Sequence, residues 1–170
     1  MKQLYFMRHG LSVMNKQGVF SGRDDTPLAE EGIEQCKKTA ELVKKLGIDT
    51  IVSSPMKRTM ESAAIIARAI GLPEDKIVVS DLFIERGFGP LEGTTYTTKM
   101  DLDETKGVEH SSDIIKRAKA GLKLLNELDA DIILVVSHGS LGRALRHVID
   151  PNIDFHKTER FNNAEVVKLI

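Results

Sequence analysis

The sequence predicts an α/β layer fold with a largely parallel sheet. Short apolar runs at residues 4–7, 50–52, 77–79, 132–136 and 166–170 have the length of strands, and longer amphipathic segments separate them. Two of the runs, "FMRHG" and "VVSHG", stop at a histidine followed by a glycine. In open α/β sheets, ligands bind beyond the carboxyl ends of strands, where these two histidines fall.

Each element follows in order. The first run, from Leu4 to Met7, ends at Arg8, His9 and Gly10. Next, Ile33, Cys36, Ala40 and Val43 recur at helical spacing and mark the buried face of a helix. In "SSPMKRTMESAAIIARAIGLP", Ser54 is placed to cap a helix, Pro55 suits its first position, and Gly71 and Pro73 stop it. Met60, Ala63, Ala67 and Ile70 then share one face. In "SSDIIKRAKAGLKLLNEL", Ser112 is the expected cap, and Ile115, Ala118, Leu122 and Leu125 form the expected buried stripe. "DIILVVSHGSLGRALRHVI" reads as a buried strand, a tight turn and a helix starting near Gly139.

At 170 residues, the expectation is one domain spanning 1–170, with no repeat or Pro/Gly-rich linker to divide it. Lys plus Arg (24) balance Asp plus Glu (25), so no global basic face suggests a nucleic-acid partner and any anion affinity is local. The lysines of "KKTAELVKKLG" form the solvated side of a helix. The one cysteine, Cys36, excludes an intrachain disulfide and falls on an apolar face, as a buried thiol does. No apolar stretch has the length of a membrane span or signal peptide, so the expectation is a cytoplasmic protein with no membrane partner. The sequence assigns no oligomeric state.

Transfer of a phosphoryl group through a covalent intermediate needs a nucleophile, cations around the phosphoryl oxygens and an acid for the leaving group. A neutral His9 can attack if one ring nitrogen is free and the other is held as a donor. Arg8 and Arg58 supply permanently charged forks, and Arg58 falls in the first turns of a helix, near its positive end. His138 is placed to donate to a phosphoryl oxygen, and Asn15 and Ser21 add neutral donors. Glu85, in "LFIERGFGPLEG" beside Phe83, Ile84 and Phe88, is the expected acid, since apolar surroundings raise a carboxyl pKa. Glu92, past Pro90 in a turn, reads as structural.

In order, "RHG", Asn15, Ser21–Gly22, "SSPMKRTMESA", "ERGFGPLEG" and "VVSHGSLGRAL" resemble the histidine phosphatase superfamily, also called phosphoglycerate mutase-like. "NNAEVVKLI" resembles its closing strand, so the resemblance covers nearly the whole chain. The resemblance implies a three-layer α/β/α sandwich whose mostly parallel central sheet has one antiparallel strand. It implies phosphorylation of His9, with Arg8, Arg58 and His138 in the phosphate pocket. Glu85 becomes the proton donor, and Asn15, Ser21, Gly22 and Gly139 are pocket neighbours. It implies no metal and no cofactor. Two departures stand out: Leu11 where the family usually has a polar or acidic residue, and Ala29 where a helix usually opens on Ser or Thr. The lost cap is worth roughly 1 kcal/mol.

Hydrolase and mutase share the phosphohistidine. A mutase must keep water out, whereas "TTYTTKMDLDETKGVEH" is short, Thr-rich and acidic, with only Lys99 and Lys106 as cations. A metal-independent phosphomonoester hydrolase acting on a small phosphorylated substrate is therefore expected. A cofactor-dependent phosphoglycerate mutase and a phosphatase of phosphoproteins, including phosphohistidine, are the alternatives. A non-catalytic phosphate-binding module is disfavoured by retention of nucleophile, arginines and acid. "DLDET" matches an aspartate-phosphatase pattern, but Asp101 follows a polar stretch rather than a buried strand. Specificity is expected from the rim: Leu11, Val19, Phe20 and residues 94–110. His110 is expected at the surface, within reach of the rim, and His147 and His156 are expected to have no part.

Overall fold

The computed structural model describes residues 1–170. The five apolar runs form one sheet: β1 (Gln3–Arg8), β2 (Thr50–Ser53), β3 (Val78–Val79), β4 (Ile132–Ser137) and β5 (Val166–Lys168). Their order is β3-β2-β4-β1-β5, all parallel except β5, which runs antiparallel to β1. The helices are α1 (Val13–Lys16), α2 (Glu30–Val43), α3 (Lys57–Ile70), α4 (Ser111–Glu127) and α5 (Gly139–Ile149).

The period-2 alternation of strand side chains divides the core into two layers. On one face, Leu4, Phe6, Val52, Ile133 and Val135 pack with Ile114, Ala118 and Leu125 of α4 and Leu141, Ala144 and Leu145 of α5. On the other, Met7, Ile51, Leu134 and Val136 meet Cys36, Ala40 and Val43 of α2 and Ala63, Ile66 and Ala67 of α3. This is the expected α/β/α sandwich. Burial pushes the Cys36 thiol pKa up, in keeping with an inert, packed side chain.

Three local expectations are corrected. Helix α3 begins two residues later than expected, with Met56 as N-cap and Lys57 as its first residue. Ser54 instead accepts from the Met56 N–H at 3.4 Å and faces His138. Helix α4 is capped by the ring of His110, which accepts from the Ser112 N–H, because Ser112 already lies inside the helix. The buried stripe of α4 centres on Ile114, Ala118, Gly121 and Leu125, one residue around from that predicted, leaving Ile115 and Leu122 partly exposed. At α2, Ala29 is the N-cap and offers no side-chain bond, as expected.

Gly142 shows how closely α5 lies on the sheet. A Cβ there would fall 2.5 Å from the Phe6 ring and 2.7 Å from the Phe161 ring. That approach brings the N-terminus of α5 over the end of β1.

Candidate active site

Parallel pairing of β1 with β4 sets Arg8 opposite Ser137 and carries both His-Gly turns to one end of the sheet. The two imidazoles come to rest edge to face, with centroids 5.2 Å apart. His9 is fixed at several points. Its N–H donates to Ser137 O at 3.0 Å, and its carbonyl accepts from Ala164 N–H and from the side chain of Asn163. Its Nδ1 lies 2.6 Å from the Gly10 carbonyl, which can only accept. Nδ1 therefore carries the proton and Nε2 keeps its lone pair. Gly10 is required here: a Cβ would lie 2.5 Å from Gly32 O and 2.8 Å from Cys36 Sγ.

His138 is fully buried, 2.9 Å through Nε2 from Ser54 Oγ. Ser54, which takes the Met56 N–H, can give its hydroxyl proton to Nε2, an arrangement that puts the His138 proton on Nδ1. The ring stands behind His9 rather than in the wall of the cleft, whereas Gly139 and Ser140 do line it. Packing does not require a glycine at 139, since a Cβ there would make only ordinary contact with Arg8 at 3.7 Å.

Both arginines are anchored by carbonyls and carry no carboxylate partner. Arg8 donates to Phe161 O at 2.7 Å. Arg58 donates to Asp24 O at 2.8 Å and Gly22 O at 2.6 Å; Glu61, its helical neighbour, is engaged with Leu28 N–H instead. Burial lowers the pKa of both guanidiniums, and nearby Glu85 works against that effect. Burial, then the charges of Arg58 and Arg8, holds His9 well below the usual histidine pKa. His138 is depressed likewise, by burial first, then Arg58 and His9. Both rings are therefore neutral.

Four buried side-chain polar atoms lack a partner within the protein: Arg8 Nε, Arg58 Nε, Ser21 Oγ and His138 Nδ1. All four belong to this site, although buried polar atoms in folded proteins are nearly always satisfied. Three of them are N–H donors, so the missing partner is an acceptor, as an anion would be. Asn15 joins them. Its Oδ1 closes the capping box of α1 with Ser12 and takes the Asn163 amide, leaving its own NH₂ free.

Glu85 stands across the cleft. Its carboxylate accepts from Arg86 N–H at 2.8 Å and from Ser140 N–H at 3.4 Å. The expected apolar cradle is not what surrounds it: Phe83 is drawn into the core and Phe88 packs on Phe20, so the carboxylate sits among peptide N–H groups and arginines. Glu92 is structural, as expected, accepting from Arg23 N–H and Phe88 N–H at 3.0 Å each.

The cleft measures about 930 Å³ and is lined by Arg8, His9, Asn15, Ser21, Gly22, Arg58 and Glu85. Its rim includes Leu11, Val19, Phe20 and the segment from Tyr96 to Glu104. His110 reaches the rim; so does His156, which the sequence left aside and which lies 3.6 Å from Asp103.

Sequence reasoning missed the residues that hold the Glu85 side of the cleft. Arg117 of α4 donates to the carbonyls of Leu82, Ile84 and Glu85 and pairs with Glu109 at 3.0 Å. Arg86, with its side chain 2% exposed, pairs with Asp103. Burial works against the Asp103 charge, yet bonds from the Ser111 hydroxyl and N–H and the charge of Arg86 outweigh it and lower the carboxyl pKa. The one available signal was Arg117 itself, a charge bordering an otherwise apolar stripe.

Known proteins share this architecture. Residues 4–170 match the family model of the histidine phosphatase superfamily (branch 1). The chain is 34% identical over 149 residues to the uncharacterized phosphatase PhoE of Bacillus subtilis, covering 85% of this chain and 76% of that one. It is 33% identical over 154 residues to the probable phosphoglycerate mutase GpmB of Yersinia pestis, covering 82% and 70%. Among solved structures, the mycobacterial glucosyl-3-phosphoglycerate phosphatase Rv2419c in complex with VO3 superposes with a TM-score of 0.86 at 23% identity, covering 99% and 92%. The chain belongs to the histidine phosphatase superfamily.

Proposed function

We propose that the protein hydrolyses phosphomonoesters through a phosphohistidine formed on His9. The observation that carries this reading is the set of buried polar atoms at one site with no protein partner, gathered around an imidazole whose free nitrogen is Nε2. A phosphoryl group meets that need. The guanidiniums of Arg8 and Arg58, the Ser21 hydroxyl and the Asn15 amide, all in the wall of the cleft, donate to its oxygens, and His138 packs its ring against His9 from within the protein.

The lone pair on His9 Nε2 attacks phosphorus, and the bond from phosphorus to the ester oxygen breaks. Glu85 gives its proton to the departing oxygen, releasing the alcohol. The Glu85 carboxylate then takes a proton from water as the water oxygen attacks phosphorus. The P–N bond breaks, returning inorganic phosphate and neutral His9. Burial supports the first step, since a protonated imidazole has no lone pair to offer and both histidines are held neutral.

Hydrolysis is favoured over isomerisation by the rim. The segment from Tyr96 to Glu104 lines the cleft without regular secondary structure, and the cleft stays open to solvent. Water therefore has access to the phosphohistidine. The substrate is a small phosphorylated metabolite and the setting the cytoplasm, with which the single buried thiol accords.

The test is turnover of phenyl phosphate together with ³²P trapping. Wild type is expected to release phosphate and to carry acid-labile, alkali-stable label. His9→Ala should lose label and fall by about 10³-fold or more in kcat/KM. Wild-type-like hydrolysis by His9→Ala would overturn the mechanism, and phosphoglycerate isomerisation outpacing hydrolysis would overturn the choice of hydrolase.

A further inference from the structure

One side chain in the wall of the cleft has no part in the steps above, yet it touches two residues that do. Asn163 precedes β5 and lines the cleft. Its amide nitrogen donates to the His9 carbonyl at 3.2 Å and to Asn15 Oδ1 at 3.4 Å. The His9 carbonyl can only accept, so the NH₂ end of Asn163 must face it and the orientation of the amide is settled. One amide from the end of the chain thus joins the strand end that carries His9 to the short helix that carries Asn15.

The turn that presents Asn163 is strained. Ala164, with φ at +57°, is the one non-glycine residue of the chain in the left-handed region, which an L side chain disfavours. Its surroundings hold it there. Its N–H donates to the same His9 carbonyl at 3.0 Å, and its own carbonyl accepts from the Thr39 hydroxyl of α2 at 2.8 Å. Its methyl is buried in the core layer under α2 and α3. The Glu165 N–H closes the turn on Asn162 O at 3.2 Å. In this conformation two neighbouring residues, one through its main chain and one through its side chain, aim N–H groups at a single oxygen. Strain held in place by so many partners gathers at functional sites.

We infer that Asn163 is a positioning residue, which keeps the NH₂ of Asn15 turned toward the phosphoryl group. The inference rests on the phosphoryl site proposed above and adds to it a residue that acts through another. Asn15 lies on α1, a helix of only four residues, and its Oδ1 is claimed twice, by the Ser12 N–H at 3.3 Å and by Asn163. With the oxygen held on that side, the NH₂ is left for the cleft, whose wall Asn15 joins. Without Asn163 only the long bond from Ser12 opposes rotation of the amide. A turned amide presents oxygen to the phosphoryl oxygens, acceptor against acceptor, and a donor becomes a repulsive group. The His9 carbonyl keeps the Ala164 N–H in either case, so binding suffers more than chemistry.

The experiment is a double-mutant cycle on wild type, Asn15→Ala, Asn163→Leu and the double variant. Affinity for inorganic phosphate is read by calorimetry, and KM and kcat are read on phenyl phosphate. Asn163→Leu, close in shape but without a donor, should weaken phosphate binding about 10-fold and raise KM by a similar factor, with a smaller fall in kcat. On the Asn15→Ala background the same change should cost no more than about 2-fold, because its effect runs through the missing amide. Equal losses on the two backgrounds, or phosphate binding by Asn163→Leu at the wild-type level, would overturn the inference. Where leucine disturbs the turn, Asn163→Ala replaces it in the same cycle. A further readout needs no change at 163. In ¹⁵N spectra of wild type, the Asn15 NH₂ signals, identified by their loss in Asn15→Ala, should move on addition of phosphate. Signals that stay in place while phosphate binds would also overturn the inference. Binding is measured apart from turnover, so a wild type that binds phosphate but hydrolyses no ester overturns the hydrolase reading alone, and the cycle in phosphate affinity still decides the part of Asn163.

Discussion

On the strand side of the cleft, His9 and His138 are set by main-chain geometry, whereas the segment facing them holds Glu85 by charge. His9 is pinned through its own peptide groups to Ser137 and Ala164, at the ends of β4 and β5, and Gly10 lets α2 press against it. Glu85 follows a strand of two residues and sits on a stretch with only short 3₁₀ turns. What orders that stretch is Arg117 reaching three of its carbonyls, with Glu109 gripping both Arg117 and the Gly87 N–H. His9, the proposed nucleophile, therefore depends on hydrogen bonds internal to the fold, and Glu85, the proposed acid, depends on an ion pair whose removal leaves a charge stranded.

The largest effect is expected from breaking that pair. Arg117→Met keeps the volume and apolar stem but leaves Glu109 without its main partner, at side-chain exposures of 14% for each residue. Uncompensated charge at such a site costs about 3 kcal/mol, visible as a lower denaturant midpoint. Because the carbonyls of Ile84 and Glu85 are released together, kcat should fall about 10-fold or more beyond what loss of folded protein explains. The fall should be smaller for an aryl phosphate with a good leaving group, which needs less acid help. A variant that is destabilised yet turns over poor and good leaving groups in the wild-type ratio would show that the pair only holds the fold.

The same contrast explains what sequence could and could not reveal. The strand half was legible because its information is local: an apolar run, then Arg-His-Gly or Ser-His-Gly, then a helix with a known start. Parallel register joins the two turns without further instruction. Glu85 was legible as a residue, but its surroundings were not, because Phe83 and Phe88 turn away from it and Ser140, far along the chain, supplies an N–H. Asp103, Glu109 and Arg117 were invisible for the same reason: each acts on partners from other elements, and isolated charges in a polar stretch look like solvated surface. The caps failed more modestly. Ser54 and Ser112 have the right chemistry, but Ser54 is committed to His138 and Ser112 is preceded by a ring nitrogen able to take its N–H.

The strand half makes its own prediction, through pH. Both histidines are depressed in the folded state by burial and by neighbouring charge, whereas in the unfolded chain they titrate near 6.5. Between the folded and unfolded values the unfolded chain binds more protons, so stability rises with pH and is lost as pH falls below about 6.5. The slope approaches about 1.4 kcal/mol per pH unit for each histidine. Urea midpoints measured from pH 5 to 8 should show it, and His138→Asn should remove about half. The Asp103 carboxyl, with its lowered pKa, contributes stability above its unfolded value near 3.9 and loses it only below that, so the two windows separate. A flat stability profile between pH 5 and 7 would mean that the imidazoles are not neutral by burial, and the strand half would then be as electrostatic as the loop half.

The smallest effect sharpens the comparison from behind His9. Helix α2 starts at Ala29, whose N–H donates to Leu11 O but whose side chain caps nothing. Leu11, two residues after His9, is thus tied to a helix with an unfilled cap. Ala29→Ser supplies an oxygen for the N–H groups of the first turn and should add about 0.5–1 kcal/mol of stability. If the strand half is set by main-chain geometry alone, kcat should stay unchanged while the midpoint rises. Should kcat fall as the helix tightens, the loop from His9 to Leu11 must move during turnover. The division between a fixed His9 and a charge-held Glu85 would then fail on the side where it looks strongest.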